Sequence, residues 1–183
     1  EKKINYKFKN IALLQRALTH SSYANECKDG RASNERLEFL GDAVLELVSS
    51  EFLYLNYPNL PEGKLTKLRA SIVCEPTLAL CTKEISLGDY LYLGKGEDLT
   101  GGRERASILA DAFEAITGSL FLDGGFEHAR SFIHETLVAQ VEQTESIETL
   151  YTDYKTLLQE CVQKNEAAQW AASQIMEIKL LHG

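Results

Sequence analysis

The sequence predicts an all-α fold, on three observations. Apolar residues recur at three- and four-residue spacing through most of the first 142 positions, which is the periodicity of helices packed on a core. The segment 107–122 is apolar almost all round, as a helix at the centre of such a core must be. No segment reads as a strand of consequence, and there is no internal repeat, low-complexity stretch or heptad array.

With 183 residues, 44% of them hydrophobic, the chain has material for one full-sized domain and a short appendage. Its formal net charge of −8 argues against binding nucleic acid through bulk positive charge, so a polyanionic partner needs a local basic surface or metal ions. Cys27, Cys74, Cys81 and Cys161 are scattered, with no C-x-x-C pair and no histidine at ligand spacing, which supports neither a zinc nor a redox motif and fits a reducing compartment. No apolar run approaches the ~20 residues that span a bilayer, and residues 1–6 do not lead into a signal-peptide core. The expectation is a soluble, cytoplasmic protein with no membrane association.

In chain order, residues 10–18 form a short helix capped by Asn10. His20 follows beside Ser21 and Ser22, but no acid is placed to orient it as a base, so it reads as a hydrogen-bonded structural histidine. Residues 28–33 form a polar loop leading into the most informative helix, which begins Asn34-Glu35-Arg36-Leu37-Glu38-Phe39-Leu40-Gly41-Asp42. At about 100° per residue, Glu35, Glu38, Asp42 and Glu46 share an arc roughly 80° wide, opposite Leu37, Leu40, Val44 and Val48. A solvated acidic face is the ordinary alternative. Such faces usually carry Lys or Arg three or four residues from each Glu, and here the sequence offers only Arg36, about 100° away from Glu35. Phe39 sits at the edge of the acidic arc, off the apolar stripe, and marks an additional contact surface.

Tyr57-Pro58-Asn59-Leu60-Pro61-Glu62-Gly63 is a turn, and residues 64–84 are helical with a break at Glu75-Pro76. Lys64, Lys67 and Arg69 are the first concentrated positive charge, either solvated or in contact with phosphate. Residues 88–102 are glycine-rich and weakly periodic, which predicts a mobile loop. In the apolar helix 107–122 the charged residues are Asp111 and Glu114, three apart on one face. Unpaired carboxylates there cost several kcal/mol unless something positive compensates them. Asp123-Gly124-Gly125 ends that helix, another spans 126–142, and residues 143–146 read as a linker.

Taken together, Glu35, Glu38 and Asp42 on one helix, Asp111 and Glu114 on another and Glu62 between them lack a run of cations to account for them. Oxygen-only ligand sets suit Mg²⁺, or Mn²⁺ as its substitute. Carboxylate-held ions of this kind suit phosphodiester hydrolysis, with water as the nucleophile.

The same residues carry a resemblance. Asn34 to Val44 closely resembles the N-E-R-L-E-F-L-G-D-(A/S)-V signature of the ribonuclease III family. The blocks Ala17–Tyr23, Glu62–Thr66 and Asp111–Ala115 match further family blocks in the same order, so the likeness covers about residues 5–145. It implies an all-α endonuclease domain over residues 1–145, with Glu38, Asp42, Asp111 and Glu114 as catalytic metal-binding carboxylates and Glu35 and Glu62 in support. It further implies a homodimer whose two sites cut both strands of double-stranded RNA in rRNA and mRNA precursors, leaving 5′-phosphates, 3′-hydroxyls and short 3′ overhangs. Such a duplex is read through shape, phosphates and 2′-hydroxyls. Phe39, off its own apolar stripe, is expected to insert into an apolar pocket of the partner.

Residues 146–183 comprise a linker and segments that resemble the first and last helices of the family's α/β double-stranded-RNA-binding domain, without the strands between them. The expectation is therefore an incomplete domain, with residues left out between Asn165 and Glu166. Two other readings compete: a non-catalytic RNA-binding or dimerisation module of the same fold, and a helical phosphohydrolase of small nucleotides. All four carboxylates are present, which disfavours the first; no histidine lies beside an aspartate, which disfavours the second.

Overall fold

A computed structural model of the protein describes residues 1–139. The expected linker, the two tail segments and the join at Asn165–Glu166 lie outside the described residues. The helices are α1 (Ile11–Ala17), α2 (Ser21–Cys27), α3 (Glu35–Asn56), α4 (Glu62–Ile72), α5 (Glu75–Glu84), α6 (Lys95–Leu99), α7 (Ala106–Gly124) and α8 (Phe126–Ile133). After α8 the chain continues into a wider turn of helix at His134–Val138. Among the described residues, the only β pairing outside helices is an isolated parallel bridge between Thr19 and Tyr92.

The apolar helix is the central one. Leu109, Ala112, Phe113, Ala115, Ile116 and Leu120 of α7 are fully buried, and α3, α5, α8 and α1 pack around it. Each such Leu, Ile or Phe contributes about 1.5–3 kcal/mol by leaving water. The Phe113 ring meets Phe132 of α8 at a centroid distance of 5.0 Å.

The contact between α3 and α7 is made backbone to backbone. A Cβ on Gly41 would lie 1.7 Å from the Glu114 carbonyl oxygen, and one on Gly118 would lie 2.3 Å from that of Leu37. Only residues without a side chain permit this approach. Because Gly41 immediately precedes Asp42 and Gly118 follows Glu114 by one turn, the closest point of the crossing coincides with the charged positions of both helices.

The N-terminal segment is fastened to the end of α7. The Asp123 carboxylate accepts the backbone N–H of Lys9 (2.7 Å) and of Asn10 (2.8 Å) and the Tyr6 hydroxyl (2.8 Å). Asn10 caps α1 as its sequence position predicts, accepting the Ala12 N–H at 3.1 Å. Pro76 sits in the first turn of α5, where its missing N–H costs nothing, and the break before it falls at Val73–Cys74.

Two segments differ from the sequence reading. Residues 21–27, which lack an apolar stripe, form α2, whose cap is the imidazole of His20. Residues 88–102, expected to be a mobile loop, are a series of short elements: turns at Leu87–Tyr90 and Gly102–Glu104, with α6 between them. Arg103 ties them together by donating to the carbonyls of Gly88 (3.0 Å) and Leu91 (2.9 Å) and to Asp98 (2.8 Å). Tyr92 joins the segment to α1 and α2 through its N–H to Leu18 O (2.8 Å) and its carbonyl to His20 N (3.1 Å). Side chain-to-backbone bonds of this kind leave no trace in apolar periodicity.

Candidate active site

Glu38 from α3 and Asp111 and Glu114 from α7 each present a carboxylate oxygen within 4.8 Å of the others. All three are partly buried. Asp42, one turn after Glu38, is exposed at the edge of this trio, and Glu35 lies one turn before it. Among the described residues, the side-chain carboxylates of Glu38, Asp42, Asp111 and Glu114 form no ion pair and no hydrogen bond.

The electrostatic consequence is a set of carboxyls reluctant to ionise. Burial pushes Glu114 up to about 8, and the charges of Asp42, Asp111 and Glu38 add to the effect. Burial likewise raises Glu38, reinforced by Asp111, Glu35 and Asp42. Asp111 is raised by burial; His20 partly offsets the effect and Glu75 adds to it. His20 and Glu75 are neighbours that the sequence reading did not connect to the site, because they reach Asp111 through the tertiary fold and carry no spacing signal. The His20 ring itself bonds to Ser22 Oγ at 2.8 Å through Nδ1.

Hard oxygen donors, mutually repelling and, among the described residues, not paired with any Lys or Arg, fit a divalent metal ion of the Mg²⁺ class. A charge of +2 at their focus would lower every one of these raised carboxyls at once.

The remaining residues singled out in the sequence lie elsewhere. Glu62 is in the first turn of α4, where its carboxylate accepts the Thr66 hydroxyl at 2.9 Å. It lines a groove of about 370 Å³ with Leu47, Leu53, Tyr54, Leu65 and Arg69. Arg69 is ion-paired to Glu46 (2.7 Å) and donates to Ser50 Oγ (2.8 Å), so Glu46 has a cation that the sequence around it did not offer. Lys64 and Lys67 are exposed on α4. Phe39 is 80% exposed, while Leu47 and Tyr54 extend the same side of α3 at 57% and 72%.

Comparison with known proteins shows what this arrangement belongs to. A family model described as Ribonuclease-III-like matches residues 10–141. The ribonuclease 3 of Caldanaerobacter subterraneus subsp. tengcongensis is 52% identical over 178 residues, 97% of this chain and 78% of that protein. The chain belongs to the ribonuclease III family. The ribonuclease 3 of Bdellovibrio bacteriovorus is also 52% identical, over 90% of this chain and 70% of its own length. The nuclease domain of ribonuclease III from Campylobacter jejuni superposes with a TM-score of 0.72 at 41% identity, covering 79% of this chain and 95% of that one. A second structure of that domain, described for flexibility in a region involved in dimer formation, gives 0.71 at 42% identity over 76% and 94%. As a member of the family the chain is an endoribonuclease, an all-α nuclease domain over its described residues. Among those residues, no helix is long and apolar enough to cross a membrane.

Proposed function

We propose that this endoribonuclease cuts double-stranded RNA by metal-assisted attack of water on the phosphodiester, leaving 5′-phosphate and 3′-hydroxyl ends with short 3′ overhangs. Structured rRNA and mRNA precursors are the substrates of this reading, and the cytoplasm is its setting. The observation that carries it is the convergence of Glu38, Asp111 and Glu114, unpaired and partly buried, at the α3–α7 crossing.

Glu38, Asp42, Asp111 and Glu114 are the residues that would hold Mg²⁺, or Mn²⁺ in its place. When bound, the metal supplies an activated water and neutralises charge on the departing oxygen. The protein contributes position and protonation. Glu114, held up to about 8, gives up its proton when it becomes a ligand, so site assembly is coupled to pH. The buried face of α7 underlies the cluster, and Glu35, one turn before Glu38, and Glu62, in the groove beside α4, are assigned supporting roles. Lys64, Lys67 and Arg69 on α4 are assigned to the RNA-facing surface, with Arg69 held in place by Glu46. The catalytic domain is assigned to residues 1–145, and residues 146–183 to a linker and parts of an RNA-binding module.

The same reading makes the protein a homodimer. Phe39, Leu47 and Tyr54 lie within about 80° on α3, and Leu47 and Tyr54 also line the groove that holds Glu62. A two-fold axis lets each copy's Phe39 enter the other's groove, since an isologous interface uses one patch twice. Incubating the full chain with a duplex RNA and with its separated strands, in Mg²⁺ and in EDTA, tests the proposal. Cutting of the duplex alone and only with metal is expected; equal cutting in EDTA, or of the single strands, would overturn it.

A further inference from the structure

Beside the carboxylate cluster, α2 and the loop between α2 and α3 enclose an open polar cleft of about 550 Å³. Ser21, Asn25, Lys28, Arg31, Ser33 and Glu35 line it. Resting on the reading of the protein as a nuclease of duplex RNA, we infer that this cleft seats a backbone phosphate next to the scissile one, with Lys28 and Arg31 as its cations.

Position is the first support. Glu35, one helical turn before Glu38, forms a wall of the cleft, so a nucleic-acid strand crossing the carboxylates has the cleft as its next surface. Built-in order is the second. The loop is tied at its end by Arg16 Nε to the Ser33 carbonyl (3.0 Å), by Asn34 N–H to the Thr19 carbonyl (2.8 Å) and by Ser33 Oγ to Glu35 Oε2 (2.6 Å). Arg31 is fixed in turn. Its Nε bonds both oxygens of Asp29 (3.0 and 2.9 Å), its Nη2 bonds the same carboxylate, and its guanidinium carbon stands 5.2 Å from the centroid of the Tyr23 ring. Tyr23 is itself braced by Tyr92, with centroids 5.4 Å apart. This leaves Nη1 without a hydrogen-bond partner among the described residues, on a guanidinium that has little rotamer freedom left to lose.

Charge supply is the third support. Arg103, Arg105 and Arg130 are paired with Asp98, Glu97 and Glu51, and Arg31 with Asp29, which leaves the Arg31 Nη1 to meet a ligand. Lys28, set in a left-handed backbone conformation at φ 49°, has no ion pair among the described residues. In a chain of net charge −8, the unpaired Lys28, with the Asp29-paired Arg31 beside it, gives this edge of the site a positive charge for a phosphate to meet. The cleft is polar, and its hydroxyls and amide match the phosphates and 2′-hydroxyls through which duplex RNA is recognised.

The test is kcat/KM for a short RNA duplex in Mg²⁺, measured against salt concentration for the full wild-type chain, Lys28→Gln and the Lys28→Gln/Arg31→Gln double variant. Each phosphate contact contributes about one to the slope of log affinity on log salt, so the double variant is expected to lose about one to two from it. The loss should fall on KM, at roughly tenfold at low salt, and Arg31→Lys in place of Arg31→Gln should restore most of the slope. An unchanged slope and KM in both variants, while the wild type cuts the duplex, would overturn the cleft and leave the nuclease reading standing. A wild type that does not cut duplex RNA would overturn both.

Discussion

Replacing Glu114 by Gln should stabilise the metal-free protein while abolishing cleavage, and the stabilisation should depend on pH in a defined direction. The carboxyl ordinarily ionises at 4.5 and in the folded protein is pushed up to about 8 by burial and by Asp42, Asp111 and Glu38. A folded-state value above the unfolded one means that the folded protein holds the proton more tightly. The penalty is therefore absent below about 4.5, grows as the pH rises through the window to about 8, and is constant beyond it. At about 1.4 kcal/mol per pH unit the ceiling is roughly 5 kcal/mol, and the water that still reaches the side chain reduces this to about 2–3 kcal/mol. Gln fills nearly the same volume and carries no charge, so it escapes the penalty. In a protein of this size that difference corresponds to a melting temperature higher by roughly 5–10 °C at pH 8.5. Thermal unfolding of both proteins in EDTA from pH 4 to pH 9 reads it: the curves should coincide at the acid end and diverge upward. Added Mg²⁺ should then raise the wild type more than the variant, because only a ligand that binds the folded state stabilises it. Melting temperatures that stay equal across the range, or a variant that melts lower, would refute the assignment of a strained carboxylate at this position.

Mg²⁺ affinity of the wild type should rise with pH toward about 8, with proton release on binding; calorimetry in two buffers of different ionisation enthalpy measures it, and pH-independent binding would contradict the raised Glu114. Gly41→Ala should cost about 3 kcal/mol or more, since its Cβ would fall 1.7 Å from a backbone oxygen, and should reduce cleavage by parting the helices that carry the cluster. Chemical denaturation and a cleavage assay on the same sample check that pair of effects. Phe39→Ala, at a side chain 80% exposed in the single chain, should leave monomer stability within ~0.5 kcal/mol and weaken dimerisation by several kcal/mol. Sedimentation finding the wild type monomeric at micromolar concentration would remove the dimer.

Much of the fold was legible in the sequence because it rests on periodicity. The uniformly apolar helix around Phe113 had to be central, and the stripe of Leu37, Val44 and Val48 had to face it. The juxtaposition of Glu38 with Asp111 and Glu114 was legible only as two suspicious sets of charges, since their meeting depends on Gly41 and Gly118 coinciding at a crossing that no spacing encodes. Polar segments read worst. The helix at Ser21–Cys27 has no apolar stripe, and the order of residues 88–102 comes from Arg103 reaching backbone carbonyls. Glu46 looked like a fourth member of the acidic stripe, yet Arg69 of the following helix neutralises it. His20, whose hydrogen bond to Ser22 agrees with a structural role, also acts on Asp111 across a distance the sequence does not show.

The most direct measurement is a Mn²⁺ titration followed by electron paramagnetic resonance, with duplex-RNA cleavage recorded on the same samples, for the wild type and for Glu38→Gln, Asp111→Asn and Glu114→Gln. If the three carboxylates form the metal site of an endoribonuclease, occupancy and cleavage should rise together in the wild type, and both should be lost or shifted at least tenfold to higher Mn²⁺ in each variant. Unchanged Mn²⁺ occupancy in all three variants, or wild-type cleavage that persists in EDTA, would contradict it.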